Sequence, residues 1–314
     1  MKKTLIALAV LATAGTAFAQ STVSLTGLVG AAAQSFDSNV GRQRGITLTD
    51  ATIRVGVTED LGSGLKAEAA IQFDESSEQF AKALNRRNSS ISLTGGFGQV
   101  RFDNTRSSNL LTRGMVAPSN LYLGIYDGSG VITRSPVDAL TYGMKFGDFT
   151  GSVQYVEGGS TVQSDGIVNA PVKVGVLNVG YAKGPIAAGL AVKAYSFRTN
   201  LGYTPERKNR LEAFATYDLG VAKFGVGYDG ANVGAPNTAA YTDAAAWAVG
   251  VSAPLGPVTI GANYAKRDAN KVTELAANYA LSKRTSFNAS LGRQTANKGT
   301  DNGNQYRLGV YHSF

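Results

Sequence analysis

The fold is decided by the stretch Ile53–Phe73, which reads IRVGVTEDLGSGLKAEAAIQF. In its second half, apolar residues occupy every other position, and Lys66 and Glu68 lie on the opposite side of the extended chain. Arg54 takes the polar side in the first half, and a glycine-rich turn separates the two halves. About nine residues that alternate in this way match a tilted strand that crosses a membrane. The stretch therefore predicts a β-hairpin with one apolar and one polar face.

The same hairpin pattern recurs along the rest of the chain. Tight turns are visible at residues 59–64, 95–98, 147–148, 183–185, 218–220, 254–257 and 282–284. Each of these turns joins two strands, and one more strand stands alone at either end, so the pattern predicts sixteen strands. The remaining eight connections are expected to be longer and polar. Short turns on one rim and long loops on the other are typical of bacterial outer-membrane barrels. The predicted fold is all-β, a 16-stranded antiparallel transmembrane barrel.

The placement of aromatic residues favours a membrane barrel over a soluble β-sandwich. A sandwich core would concentrate aromatic side chains in the middle of its strands. In this sequence they gather beside the tight turns and at the opposite strand ends, where membrane interfaces lie. The two predicted rows are Phe97, Phe146, Phe149, Tyr217, Tyr279, Phe287 and Phe314 near the turns, and Phe73, Tyr155, Tyr228, Tyr264 and Tyr306 at the other ends.

Residues 1–19 have the features of an export signal. They begin with two lysines, continue with a short apolar run and end in the small-residue pattern Ala17-Phe18-Ala19. We expect cleavage after this pattern and a single barrel domain over residues 20–314. The chain has no cysteine, so disulfides do not hold it together. Its formal charge of +8 indicates anionic solutes or surfaces, because export disfavours nucleic acid.

The alternation stops at residues 103–135, DNTRSSNLLTRGMVAPSNLYLGIYDGSGVITRS. A connection of about thirty residues inside a compact domain is usually functional or disordered, and its many apolar residues favour order. We interpret it as a constriction loop that folds into the bore. Its charged residues include Arg106, Arg113, Asp127 and Arg134, and three arginines against two aspartates leave it net basic.

The two-residue period also predicts which charged side chains face the bore. Arg54, Arg86 and Arg101 point inward from the first strands, with Glu68 as the nearest acid, and Lys66 and Lys145 also point inward. Further inward charges, expected to be solvated in a wide pore, are Lys193, Arg210, Lys223, Arg307, Glu212, Glu274 and Asp138. A net basic loop in a bore that these arginines also line predicts a preference for anions.

Catalytic, metal and cofactor sites are not predicted. The single histidine, His312, lies two residues from the end on the expected outward face, away from a serine or carboxylate partner. The sequence has no Cys/His pattern with metal-ligand spacing. The Gly-Ser-Gly triplets at 62–64 and 128–130 are interpreted as turns. Two alternatives to a general channel stay open: a substrate-selective channel with a binding ladder in the bore, and a secreted β-rich adhesin.

Three stretches resemble one known family. The segment 304–314, NQYRLGVYHSF, resembles the closing strand of bacterial outer-membrane porins, which ends in phenylalanine. The segments 59–67, EDLGSGLKA, and 93–100, LTGGFGQV, are similar to hairpins of the general porins of Neisseria- and Burkholderia-like bacteria. The resemblance covers the whole expected mature chain.

The resemblance implies a water-filled, homotrimeric channel of the outer membrane for ions and small hydrophilic solutes, with its third external loop folded inward. It implies contact with outer-membrane lipid and lipopolysaccharide. In the family the wall of the first strands faces this loop, so the resemblance also implies that Arg54, Arg86 and Arg101 lie opposite it. It also implies insertion by the barrel assembly machinery, which reads the last strand through Tyr306, Leu308, Val310, His312 and Phe314. The acidic Pro-Glu-Phe-like loop tip of some enteric porins is absent here.

Overall fold

A computed structural model describes residues 21–38, 41–75, 84–119, 121, 131, 136–157, 172–197, 209–230, 244–295 and 303–314. Sixteen strands form one closed antiparallel barrel in which each strand pairs with its neighbours in sequence and β1 pairs with β16. The prediction of a sixteen-stranded barrel is confirmed. The predicted export signal lies outside the described residues. Within the described ranges, no helix is long and apolar enough to cross a membrane.

The strands have lengths typical of membrane-spanning barrels. They are β1 (Ser21–Ser38), β2 (Gly41–Gly62), β3 (Leu65–Glu75), β4 (Leu84–Gly95), β5 (Gly98–Arg106), β6 (Pro136–Phe146), β7 (Phe149–Glu157), β8 (Val172–Lys183), β9 (Ile186–Phe197), β10 (Asn209–Asp218), β11 (Lys223–Asp229), β12 (Ala246–Leu255), β13 (Val258–Arg267), β14 (Asn270–Ala280), β15 (Thr285–Thr295) and β16 (Gly303–Ser313). A short 3-10 helix, Leu110–Gly114, lies between β5 and β6.

Side chains alternate between an apolar outer face and a polar or small inner face. On β12, for example, Trp247 and Val249 are exposed on the outside, whereas Ala246, Ala248 and Ser252 are buried on the inside. Large exposed apolar side chains recur in this way around the whole barrel. Because such a surface is unfavourable in water, the outer face is suited to hydrocarbon.

Both predicted aromatic rows lie on the outer face. Most of their members are well exposed there, and Phe73 and Tyr264 are half-buried. Neighbouring rings pack against each other within the rows: the ring centroids of Phe146 and Phe149 are 5.9 Å apart, and those of Phe149 and Tyr181 are 4.9 Å apart. The rows therefore occupy the positions that interface girdles require.

The seven predicted tight turns are confirmed and share one rim with both ends of the barrel sheet. The expectation that all other connections are long is wrong for two of them. Strand β1 ends at Ser38 and β2 begins at Gly41, and two residues join β13 to β14. The second connection uses Asp268 with a positive φ of 53°, a conformation that aspartate tolerates. A turn of this kind without glycine leaves little signal in the sequence.

The barrel closes between β1 and β16, where aromatic rings cover glycines on both faces. Phe314 donates its backbone N–H to the carbonyl of Gly27 at 3.1 Å and accepts the Gly27 N–H at 3.0 Å. Its ring fills the space above Gly27 on the outside. On the inside, the ring of Tyr311 fills the space above Gly30 and Gly309. A side chain larger than hydrogen at these glycines would displace the rings.

The strand pairing corrects two predictions from the alternation. Strand β5 continues through Arg106, so the long connection covers 107–135; its start was placed too early because residues 103–106 are all polar. Asp138 pairs with Asn104, and the two side chains meet outside the bore at 2.8 Å. The register of β3 and β4 shifts between Gln72 and Phe73, and the inward placement of Arg86 stays a prediction. The side chain of Arg86 lies outside the described part of the chain.

Candidate functional site: the inner loop and the cavity beside it

The connection 107–135 is hereafter called the inner loop, and its described part lies against the inside of the barrel wall. Its described residues are 107–119, 121 and 131. The 3-10 helix contacts β9, β10, β11 and β12. Asn109 caps this helix by accepting a hydrogen bond from the N–H of Leu111 at 3.0 Å. These contacts agree with the prediction that the connection folds into the bore.

The inner loop rests on a row of inward-facing glycines. Methyl groups added at Gly225 and Gly227 would collide with the backbone of Gly114 and Leu111, and one added at Gly250 would meet the backbone N–H of Val116. The loop and wall backbones therefore pack directly against each other, which only glycine permits. We call Gly225, Gly227, Gly250 and Gly261 the glycine seat.

Apolar side chains fill the space around the glycine seat. Leu111, Leu121 and Val131 of the inner loop are fully buried, and they pack in one cluster with small or β-branched residues of the wall. The wall members are Ala246, Ala248, Ala265 and Val272. Burying each large apolar side chain contributes about 1.5–3 kcal/mol, so this cluster contributes much of the attachment.

A buried charge network ties the loop to β9–β13. Arg210 and Arg267 both donate to the carboxylate of Asp229, Arg267 at 2.5 Å. The amide of Asn109, from the loop, donates to the same carboxylate at 3.0 Å. Asp229 and Arg267 are completely buried. Because breaking a buried ion pair costs about 3–5 kcal/mol, this network is a strong constraint on the loop.

The same network also recognises the loop backbone. Arg267 donates to the carbonyl of Val131 at 3.0 Å, and Lys193 donates to that of Ser108 at 2.7 Å. Glu212 accepts the N–H of Leu110 at 3.0 Å and pairs with Lys193 at 2.7 Å. Arg267, Lys193 and Glu212 thus each have both an ionic partner and a backbone partner, which offsets the cost of burying their charges.

A second polar contact holds the far end of the described loop. Asn263 accepts the N–H of Ala117 at 3.1 Å and donates to Glu274 at 3.0 Å. Asn288, on β15, donates to the carbonyl of Pro118 at 2.6 Å. The loop is therefore fastened from β9 round to β15.

These contacts correct the prediction that most inward charges are solvated. Lys193, Arg210, Glu212 and Glu274 do lie on the inner face, but they are buried beneath the inner loop. Arg307 is also buried and donates to Gln34 at 3.0 Å. The sequence shows that these side chains point inward, but it does not show which part of the wall the loop covers.

A cavity of about 780 Å³ lies inside the barrel between the inner loop and strands β5–β9. Arg101 from β5, Lys145 from β6 and Arg113 from the 3-10 helix line it, and Arg106 lines it at the end of β5. The loop thus covers one side of the bore and leaves an open space with a basic lining on the other.

The acid nearest to Arg101 is Asp103, not Glu68. The Arg101 Nε and Asp103 Oδ2 atoms are 2.8 Å apart, and both residues lie on the inward face of β5. Glu68 is level with Arg101 but two strands away, because Ser92 pairs with both. The prediction failed here because Asp103 was assigned to the loop.

The other predicted pore residues are distributed round the wall. Arg54 and Lys66 are exposed on the inward faces of β2 and β3. Neither is among the described residues that line the cavity. Asp127 and Arg134 lie outside the described residues. Among the described residues, no group of His, Asp or Glu could hold a metal ion.

The residues predicted as an assembly signal share the outer face of the last strand. Tyr306, Leu308, Val310 and Phe314 are exposed there, and His312 contacts Thr285 at 2.9 Å. All five therefore lie where lipid or an assembly factor could contact them.

The wall residues that hold the loop were not found from the sequence. Asp229 and Arg267 sit at strand ends, where charged residues are usually solvated. The available signal was the run Phe224–Tyr228 (FGVGY), in which two glycines occupy the inward positions of one strand. Glycine weakens a strand, and repeated glycine on one face indicates close approach of another backbone.

The glycine seat predicts that Gly227→Ala displaces the loop. The added methyl would collide with the carbonyl of Leu111, so the loop must shift or lose about 1–3 kcal/mol of packing. We expect an altered single-channel conductance and faster proteolysis of the loop, with the barrel retained. Gly175→Ala is the matched control, because nothing lies within 4 Å of the added methyl. If the two variants have the same conductance and the same rate of loop proteolysis, the packing of the loop on the glycine seat is contradicted.

Comparison with known proteins agrees with the barrel fold. Residues 4–300 match the Gram-negative porin family. The chain is 31% identical over 246 residues to outer membrane porin protein 32 of Delftia acidovorans, which covers 71% of this chain and 68% of that protein.

Solved structures with the same fold include an anion-selective porin from Comamonas acidovorans, with a TM-score of 0.68, 21% identity and coverage of 94% of this chain and 100% of that one. Another is the loop L8 deletion mutant of OmpT, an outer membrane protein of Vibrio cholerae, with a TM-score of 0.67, 16% identity and coverage of 94% and 99%. The family implies a channel and not an enzyme. The chain belongs to the Gram-negative porin family and forms a water-filled diffusion channel in the outer membrane.

Proposed function

We propose that this porin prefers anions over cations and that the cavity beside the inner loop is where the preference arises. The observation that carries the proposal is the charge of the cavity lining. Arg101, Lys145 and Arg113 reach it from three different elements. The two acids of the described lining are each paired with a cation, Asp103 with Arg101 and Asp148 with Lys183.

The geometry makes this basic excess effective. One side of the bore is filled by the inner loop, so a permeating ion passes close to the remaining wall. A unit charge at about 5 Å with an effective dielectric near 20 contributes about 3 kcal/mol before screening. Screening acts over about 8 Å at physiological ionic strength, so a reduced bias survives within the narrow zone. The solved Comamonas porin with this fold is described as anion-selective, which supports the proposal.

Other predicted pore residues contribute less in this proposal. Arg54, Lys66 and Glu68 line the wider part of the bore on β2 and β3, where water screens their charges. Arg106 adds charge at the upper end of the cavity. The roles of Arg86, Asp127 and Arg134 stay predictions from the sequence.

Charge reversal at the cavity should weaken the anion preference. We expect the double variant Arg101→Glu and Lys145→Glu to lower the chloride-to-potassium permeability ratio by roughly threefold or more, because two charges that line the cavity change sign. Reversal potentials of single channels in a potassium chloride gradient measure this ratio. Lys223→Glu is the control, since Lys223 is an inward cation on β11 that does not line the cavity. A wild-type channel that prefers potassium, or equal shifts in all variants, would refute the proposal.

We also propose that the porin assembles as a homotrimer in contact with outer-membrane lipid and lipopolysaccharide. The outward positions Ala31 and Ala33 of β1 carry only methyl groups, which lets a neighbouring barrel approach this part of the wall closely. We expect the mass of the purified protein in mild detergent to equal three chains. A mass of one chain would contradict this.

Phe314 is proposed to act in assembly and not in conduction, with Tyr306, Leu308, Val310 and His312 forming the rest of the signal. Its ring and backbone close the barrel on Gly27, outside the bore. Deleting Phe314 should leave unfolded protein in the periplasm, whereas the few channels that insert keep wild-type conductance. Normal amounts of heat-modifiable protein in the membrane fraction would be inconsistent with this role.

A further inference from the structure

One aromatic side chain projects into the bore beside the cavity. Phe214 lies on the inner face of β10, whereas the aromatic rows of the barrel lie on the outer face. Its pairing partner on β9 is Gly189, and the ring fills the space above this glycine. The absence of a side chain at Gly189 therefore lets the ring lie close to the wall.

The ring of Phe214 packs against a charged side chain of the inner loop. The Cζ atom of Arg113 lies 5.3 Å from the centroid of the Phe214 ring, within the range of a cation–π contact. Arg113 stands in the last turn of the 3-10 helix, and its neighbour Gly114 is buried against β11. The backbone of Arg113 is thus fixed by the glycine seat and its guanidinium by Phe214.

The nature of the partner distinguishes Arg113 from Arg101. Arg101 is paired with Asp103 at 2.8 Å, so the field of its charge is partly cancelled a few ångströms away. An aromatic ring holds a cation without carrying a net charge of its own. The charge of Arg113 is therefore not cancelled by its partner, and the contact with the ring restrains the position of the guanidinium.

We infer that Phe214 is a positioning residue for charge selection, which sets the anion preference of the channel by holding the Arg113 guanidinium in the cavity. This inference rests on the proposed anion preference. It assigns the largest share of that preference to Arg113, an arginine of the loop, and not to Arg101 on the opposite wall. Phe214 carries no charge, and it acts on the permeating ion only through Arg113.

A double-mutant cycle between Phe214 and Arg113 tests the inference with chloride and potassium as the probes. We expect Phe214→Leu to lower the chloride-to-potassium permeability ratio by about twofold to threefold, because the freed guanidinium samples positions away from the ion path. Phe214→Tyr keeps an aromatic face and should keep the wild-type ratio. In an Arg113→Gln background, Phe214→Leu should have no further effect on the ratio.

The matched control is Phe224→Leu, the same change on the outer face of the adjacent strand β11. It should leave the permeability ratio unchanged, and heat-modifiable mobility reports folding of every variant. The inference is overturned if Phe214→Leu keeps the wild-type ratio, or if it lowers the ratio equally in the Arg113→Gln background. If the wild-type channel prefers potassium, the proposed anion preference fails, while the cycle still shows whether Phe214 acts through Arg113.

Discussion

The rest of the structure depends on one constraint: each backbone N–H and C=O within the hydrocarbon must find its partner inside the protein. The barrel meets this constraint by closing β1 on β16, so that no strand edge remains. The closure leaves Gly27, Gly30 and Gly309 covered by the rings of Phe314 and Tyr311, one on each side of the sheet. With the backbone satisfied in the wall, the outer side chains are free to be apolar and the inner ones to be polar.

The same need for backbone hydrogen-bond partners determines how the inner loop is held inside the barrel. A loop folded into the bore brings its own backbone groups, and the wall supplies partners for them. Lys193 and Arg267 bind loop carbonyls, and Glu212 binds a loop N–H. The glycine seat lets the two backbones approach closely enough for these contacts to form. The charges on this half of the wall thus serve attachment, whereas those on the other half face the passage.

This division explains how one basic protein can use its charges in two ways. Buried charges act over short distances and need close partners, so they hold a segment in place. Charges that line a water-filled space act on passing ions, weakened by screening. Arg101 and Arg113 represent two forms of the second kind, since one has an acidic partner and the other an aromatic one. Because its aromatic partner is neutral, Arg113 leaves more of its electrostatic field in the passage than Arg101 does.

The sequence by itself determined the barrel, its strand number, its two faces and the loop that enters it, because a two-residue period fixes the face of each side chain wherever the strand is regular. The period failed at Asp103, where the strand is polar on both faces. Only the tertiary structure decided which half of the wall the loop covers. That choice depends on contacts between residues more than a hundred positions apart, such as Asn109 with Asp229, and alternation along one strand carries no record of them.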